Sequence, residues 1–155
     1  MERLIMNLFN DNIIKEYQEW ENANQNNFSW WNFVNMKADL DIALAFAKFY
    51  CPEIIEVEGC YLLKDKFNQE IFNSWKVKCS GNKQCIEKMM NLYQLRDFFH
   101  INQKDYNKEK NIALGEVLTF FWTASFEKRY PNEVFRVEIY EETDEELFIT
   151  VYKEN

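Results

Sequence analysis

The stretch VFRVEIYEETDEELFITVY, residues 134–152, decides the fold of this chain. Two runs within it alternate between apolar and polar residues, and this period of two is typical of β-strands. Between the runs lies an acidic segment, residues 141–146, that is too polar for a strand core. The pattern therefore predicts a C-terminal β-hairpin whose loop is longer than two residues.

The alternation also assigns each side chain of the hairpin to one of two faces. The apolar face, predicted to point to the core, carries Phe135, Val137, Ile139, Leu147, Ile149 and Val151. The other face, predicted to point outward, carries Arg136, Glu138, Tyr140, Phe148, Thr150 and Tyr152. Because aromatic side chains beside charges on an exposed surface are typical of protein interfaces, these six residues form the candidate binding surface.

Upstream of the hairpin, apolar residues recur at steps of three and four, which is the spacing of amphipathic helices. Such segments span residues 4–20, 30–50, 67–75, 86–98 and 109–129. Ser29 is placed to cap the second of these helices. The last part of that helix, residues 41–50, has so few polar positions that it is predicted to be the central buried helix.

The segment EIIEVEGCYLL, residues 53–63, alternates with a period of two and predicts one further strand. Gly59 within it is predicted to be a bulge or a point of close approach. The order of elements predicts an α+β fold, with about five helices packed on one face of a small three-stranded antiparallel sheet. With three glycines and two prolines there is no flexible linker, so residues 1–155 are predicted to form a single domain.

The net charge of −8 argues against binding to nucleic acid or to an anionic membrane surface, since both require clustered Lys and Arg. If this charge attracts a partner, the partner is a basic protein. No apolar run is long enough to span a membrane, and the N-terminus lacks the pattern of a signal peptide, so a cytoplasmic location is expected. The high Asn and Lys content indicates an AT-rich, bacterial genome.

The four cysteines, Cys51, Cys60, Cys79 and Cys85, are predicted to be free thiols, because disulfides are rare in a reducing compartment. A structural zinc site requires ligand pairs two to four residues apart, a spacing that these cysteines do not have. Cys79 and Cys85 flank a turn and could approach each other on oxidation. The sequence predicts no metal, no cytoplasmic disulfide and no cofactor, since phosphate-binding and catalytic motifs are absent.

The candidate acid–base residues are Glu56, Glu58, Glu138 and the single histidine, His100. If the strands that carry the three glutamates pair, their carboxylates share one sheet face and could hold a cation or transfer a proton. The polar face of any half-exposed sheet has the same pattern, and Arg136 is placed to neutralise one carboxylate. His100 follows a helix and is predicted to interact with its C-terminal end.

Two functions remain open at the level of sequence. In the first, the chain is a non-enzymatic protein-binding module whose hairpin face engages a basic partner. In composition such a module is similar to the acidic immunity proteins with which bacteria neutralise toxins. In the second, the chain is a small enzyme or ligand-binding domain that uses Glu56, Glu58 and His100. The first needs only a charged, aromatic surface and is therefore preferred.

Overall fold

The computed structural model describes residues 7–25, 27–103, 105–142 and 146–154. Within these ranges the helices are α1 (Lys15–Asn24), α2 (Trp30–Lys37), α3 (Leu40–Tyr50), α4 (Gln69–Lys78), α5 (Lys83–Met90) and α6 (Lys108–Arg129). The strands are β1 (Ile54–Val57), β2 (Cys60–Leu63), β3 (Tyr93–Gln94), β4 (Phe135–Glu141) and β5 (Leu147–Lys153). The predicted α+β class, the antiparallel sheet and the C-terminal hairpin are confirmed.

The chain divides into two compact units, Met1–Phe49 and Tyr50–Asn155, which are described one after the other. The extent of the predicted domain over residues 1–155 stays a prediction. The start of the first predicted helix, residues 4–6, lies outside the described residues. From Asp11 the chain forms a short 3-10 turn capped by the side chain of Asn10, and α1 follows at Lys15.

The first unit is held together by aromatic rings. Tyr17 of α1 is buried and stacks on Trp30 of α2, with ring centroids 3.6 Å apart and planes only 4° from parallel. Phe33 meets the Tyr17 ring edge-on at 5.7 Å. At the start of α2, Ser29 and Asn32 form a capping box, which confirms the predicted cap.

The predicted helix over residues 30–50 is interrupted, because Ala38 adopts an extended conformation between α2 and α3. The side chain of Asp39 then accepts a hydrogen bond from the backbone N–H of Ile42 and starts α3 anew. Because the helix is interrupted between them, Lys37 and Asp41 do not lie one helical turn apart. Lys37 forms an ion pair with Glu16 at 2.5 Å.

The prediction that residues 41–50 form a central buried helix is wrong. No residue of α3 is fully buried, and Leu44 is 62% exposed. Only a single stripe, made of Phe46, Phe49 and Tyr50, is half-buried. A low content of polar residues shows that a helix is hydrophobic, but it does not show how much of the helix is buried in the folded chain.

The second unit begins with a hairpin where the sequence predicted one strand. β1 and β2 pair antiparallel with Ile54 opposite Leu63 and Val57 opposite Cys60, so that Glu58 and Gly59 form a two-residue turn. Both turn residues have positive φ, 50° at Glu58 and 78° at Gly59, as a type I′ turn requires. Gly59 therefore reverses the chain instead of forming a bulge. A Cβ at this glycine would lie 2.4 Å from Nζ of Lys83, so the predicted close approach is real.

A separate three-stranded antiparallel sheet has the order β3-β5-β4. Its third strand is the two-residue β3, with Tyr93 opposite Ile149, and not the segment 53–63. The segment 53–63 instead folds back on itself, and its two strands pair with each other as a hairpin. The helix predicted over residues 86–98 accordingly ends at Met90, before β3.

Helix α6 packs against the apolar face of the β4–β5 hairpin, the face that the alternation predicted to point to the core. Leu118, Phe126 and Ile149 are fully buried, and the rings of Phe126 and Phe135 lie 5.3 Å apart. Helix and sheet approach most closely at Gly115, where an added Cβ would lie 2.8 Å from Cδ1 of Ile139. The predicted boundaries, 109–129, differ from the observed helix by one residue, because Asn107 caps its start.

Candidate functional site

The six residues of the predicted binding surface lie on one face of the β4–β5 hairpin. The strand register sets Arg136 opposite Tyr152, Glu138 opposite Thr150, and Tyr140 opposite Phe148. Alternation along each strand keeps all six on the side away from α6.

Helix α5 covers part of this face, so the expected full exposure is wrong at Thr150 and Tyr152. These two side chains are only 2% and 4% exposed. Thr150 Oγ1 donates to the backbone carbonyl of Lys88 at 2.8 Å, and Nζ of Lys88 lies over the Tyr152 ring at 4.1 Å. The hydroxyl of Tyr152 donates to Glu138. Burial and this hydrogen bond raise the pKa of Tyr152 to about 12.

The part of the face that remains accessible lies toward the turn of the hairpin. Tyr140 and Phe148 stack with ring centroids 5.5 Å apart and an interplanar angle of 16°, and both are half-buried. Burial raises the pKa of the Tyr140 hydroxyl, and the nearby carboxylates of Glu142 and Glu138 raise it further. We call this pair, Tyr140 and Phe148, the aromatic platform.

Glu138 and Glu142 lie near the aromatic platform, whereas Glu141 alternates to the opposite face of β4, toward α6. Glu141 pairs with Lys108 at 2.9 Å, and Glu146 pairs with Arg96 at 3.7 Å. Glu142, exposed at the end of β4, accepts no such pair in the part of the chain that is described. The middle of the predicted acidic turn, residues 143–145, lies outside the described residues.

The alternative site residues are not brought together. Glu56 is exposed on β1, which pairs with β2 and belongs to a different sheet from Glu138 on β4. Glu58 lies in the β1–β2 turn, where it forms an ion pair with Lys76. Because β1 and β4 do not pair, their glutamates do not share a carboxylate face. Among the described residues no cluster of three His, Cys, Asp or Glu side chains is arranged to hold a metal.

His100 lies in an open cleft of about 290 Å³, next to the N-terminal turn of α6. The cleft is lined by Arg96, Asp97, His100, Gln103, Asp105, Tyr106 and Asn111. Nδ1 of His100 lies 2.7 Å from the backbone carbonyl of Asp97, which can only accept, so Nδ1 carries the proton and donates. This contact near the end of a 3-10 turn agrees with the predicted structural role and leaves Nε2 free to accept.

Two polar residues that the sequence analysis missed, Glu87 in α5 and Asn91 directly after it, are among the most buried of the second unit. Glu87 is 2% exposed, and its carboxylate accepts from the backbone N–H groups of Tyr61 at 2.8 Å and Lys153 at 2.7 Å. These two donors belong to β2 and β5, so Glu87 links the free edge of β2 to the part of β5 that extends past the two-residue β3. Burial raises its pKa, although the two backbone hydrogen bonds oppose that shift.

Asn91, one turn further along, bridges the same two edges. Its side chain accepts from the N–H of Leu63 and donates to the carbonyls of Tyr61 and Val151, at 2.8–2.9 Å. The available signal in the sequence was the spacing of four, which puts Glu87 and Asn91 on the same side of α5 as the apolar residues Ile86 and Met90.

The prediction of four free thiols is wrong, because Cys79 and Cys85 form a disulfide with Cα atoms 5.8 Å apart. The turn between them brings them together. Ser80 and Gly81 both have positive φ, and Gly81 N–H donates to the carbonyl of Lys76, which closes a Schellman motif at the end of α4. Cys51 is a free, exposed thiol and Cys60 is a free, buried one, whose pKa is raised by burial.

Comparison with known proteins identifies no relative: no protein-family model, no curated protein and no solved structure matches the chain. No helix among the described residues is both long and apolar enough to cross a membrane.

Proposed function

We propose that this protein is a non-enzymatic binding module and that it takes a basic protein partner at the aromatic platform. The observation that carries the proposal is the stacked pair of Tyr140 and Phe148 at the end of the hairpin, half-buried and close to the carboxylates of Glu138 and Glu142. Aromatic anchors dominate the energy of protein interfaces, and carboxylates around them attract a positively charged surface. A toxin neutralised by this chain is one partner of that chemistry.

Helix α5 leaves only part of the predicted binding surface accessible. Thr150 and Tyr152 are excluded as contact residues because α5 covers them. Arg136 and Glu138 remain half-exposed or exposed at the edge of the face. The proposed contact surface is therefore Arg136, Glu138, Tyr140 and Phe148, together with Glu142.

The experiment compares proteins recovered from the source lysate by the wild type and by the double variant Tyr140→Ala, Phe148→Ala. A matched control, Phe120→Ala, removes a ring on α6 that is 40% exposed and lies outside the surface. We expect a basic protein to bind the wild type and the control but not the double variant. Its recovery falls as salt rises, since charges are screened over about 10 Å at 0.1 M. If the wild type, the control and the double variant recover the same proteins, the aromatic platform is not the binding site.

The cleft around His100 supports a second candidate function, the binding of a small zwitterionic ligand. Asp97 and Asp105 suit an ammonium group, and Arg96, which also pairs with Glu146 at 3.7 Å, suits a carboxylate; all three line the cleft with His100. Since His100 is the only histidine, its ring protons give a single set of NMR signals. We expect one of the free amino acids, added as probes, to shift these signals, and His100→Ala to weaken its binding. No shift with any of them excludes this candidate.

A further inference from the structure

The outer edge of β4 carries backbone groups that face away from the sheet. Glu154 N–H donates to Val134 O, and Glu142 N–H donates to Glu146 O. In the observed register these are hydrogen-bonded pairs, so every even-numbered residue of β4 directs its N–H and C=O toward β5. The odd-numbered residues Phe135, Val137, Ile139 and Glu141 therefore direct theirs to the opposite side.

No group in the described part of the chain hydrogen-bonds to the outward N–H and C=O groups of β4. β4 is an end strand in the order β3-β5-β4, and no side chain or loop there hydrogen-bonds to the outward groups. The other edges are short or covered, and β1 has only four residues. β3 has only two residues, and Glu87 and Asn91 cover the free edges of β2 and β5. Natural sheets protect long edges by such devices, because an open edge pairs with another strand.

β4 lacks most of the features that prevent edge pairing. It is seven residues long, contains neither Pro nor Lys, and its one-to-one register with β5 shows no bulge. Its two central polar residues have opposite charges: Arg136 pairs with Glu154 and Glu138 accepts from the Tyr152 hydroxyl, and both side chains remain partly exposed. A strand with this sequence can therefore offer a complementary charge to a second strand of the same kind.

We propose that β4 pairs antiparallel with β4 of a second copy of this chain, which joins two three-stranded sheets into one of six strands. The outward groups are on odd-numbered residues, so a two-fold axis must pass through residue 137, 138 or 139. An axis at Glu138 places this carboxylate directly opposite Glu138 of the second copy, and two like charges there are unfavourable. An axis at Val137 sets Arg136 opposite Glu138 of the second copy, twice by symmetry. We assign this register.

The first test measures mass by analytical ultracentrifugation as the protein concentration rises. We expect the wild type to form a dimer, and Arg136→Glu to raise its dissociation constant about tenfold, because two attractive pairs become repulsive. The charge swap Arg136→Glu, Glu138→Arg restores dimerisation. Lys110→Glu is the matched control, since it makes the same change in net charge at an exposed site on α6 and leaves the dimer unchanged.

The second test separates backbone pairing from side-chain contact. Val137→Pro removes an N–H that faces outward, so the β4–β5 ladder stays intact, whereas Val137→Ala keeps this N–H. We expect the proline variant to be a monomer and the alanine variant a dimer, with unchanged circular dichroism. If the proline variant does not fold, hydrogen exchange of the wild type decides. Protection of the Val137 and Ile139 amides must then increase with concentration, while that of Glu138 does not.

Two results overturn the proposal. One is a wild type that remains a monomer at every concentration at which it is soluble. The other is a dimer that survives in Arg136→Glu and in a folded Val137→Pro, which would place the interface on another surface. Neither result affects the proposal of a basic partner, because the aromatic platform is tested with different variants.

Discussion

Asn91 makes three hydrogen bonds to backbone groups of two different sheets, although its side chain is only 1% exposed. An apolar replacement of similar size, Asn91→Leu, leaves an N–H and two carbonyls without partners. We expect a loss of roughly 3 kcal/mol or more in the free energy of unfolding, since each buried unsatisfied group costs about 1–3 kcal/mol. Urea denaturation measures this loss.

The control for this prediction is Asn73→Leu on α4. Asn73 is exposed, and within the described ranges its side chain hydrogen-bonds to Gln69 alone. We expect its replacement to change the free energy of unfolding by about 0.5 kcal/mol or less. Equal effects at positions 73 and 91 would show that Asn91 does not join the sheets.

Glu87 makes the stability of the protein depend on pH in a defined direction. Because burial raises its pKa in the folded chain, the folded state keeps the proton to higher pH than the unfolded state, whose glutamates titrate near pH 4.3. The free energy of unfolding contributed by Glu87 is therefore fully present below about pH 4.3. It decreases as pH rises from there through the higher folded-state pKa.

Denaturation of the wild type and of Glu87→Gln at several pH values isolates this contribution. The stability of the wild type relative to the variant should decrease as pH rises through that window and become constant above it. An increase with pH would mean that the hydrogen bonds from Tyr61 and Lys153 outweigh the cost of burying the charge.

At the scale of elements, the disulfide between Cys79 and Cys85 joins the end of α4 to the first turn of α5. Closing so short a loop restricts the unfolded chain and stabilises the fold by about 2 kcal/mol in the chain-entropy model. We expect Cys79→Ser, Cys85→Ser to lose about that much, and Cys51→Ser, which removes an exposed free thiol, to lose almost nothing.

Thiol titration of the unfolded, unreduced protein provides an independent measurement. Two free thiols, Cys51 and Cys60, are expected before reduction and four after it. Four thiols before reduction would show that the cysteines of the α4–α5 turn are not joined in the compartment from which the protein was taken.

The sequence predicted well those elements that are long and whose apolar residues recur at a regular spacing. Helix α6 and both strands of the C-terminal hairpin agree closely with prediction, because their burial is regular and their ends carry recognisable caps. The β1–β2 turn was missed because Glu58 adopts a positive φ that a glutamate rarely takes, which left Gly59 as the only visible turn residue.

The candidate site was less predictable than the fold, since side-chain periodicity does not show which helix covers a face. The alternation correctly grouped Tyr140, Phe148 and Tyr152 on one face, but nothing in it indicated that α5 would bury Tyr152. The roles of Glu87 and Asn91 depend on β2, which lies 26–30 residues away along the chain, and on β5, which lies 60–66 residues away. Local pattern carries no information about such distant pairs.

At the scale of the whole molecule, almost all of the buried apolar residues belong to the second unit. Tyr17 is the only fully buried apolar side chain among the described residues of Met1–Phe49. We therefore expect a chain of residues 50–155 to fold alone, because it contains both sheets, α4–α6 and the disulfide. Residues 1–49 bury too little apolar surface to do so.

Circular dichroism and denaturation of the two fragments measure this difference. Residues 50–155 should unfold in a single cooperative transition, whereas residues 1–49 should show none. If the longer fragment is unfolded, the first unit is required for its stability, and the chain is a single cooperative domain as its composition suggested.

The junction made by α5 also affects how the protein can change during evolution. A β-ladder is built from main-chain groups that every residue except proline supplies, so its strands accept many substitutions. Here the β2 and β5 edges are linked by two particular side chains, a carboxylate and an amide four residues apart. Few other residue pairs offer the same acceptors and donors. Sequence drift should therefore be slowest at positions 87 and 91, where one nucleotide change can separate the two sheets.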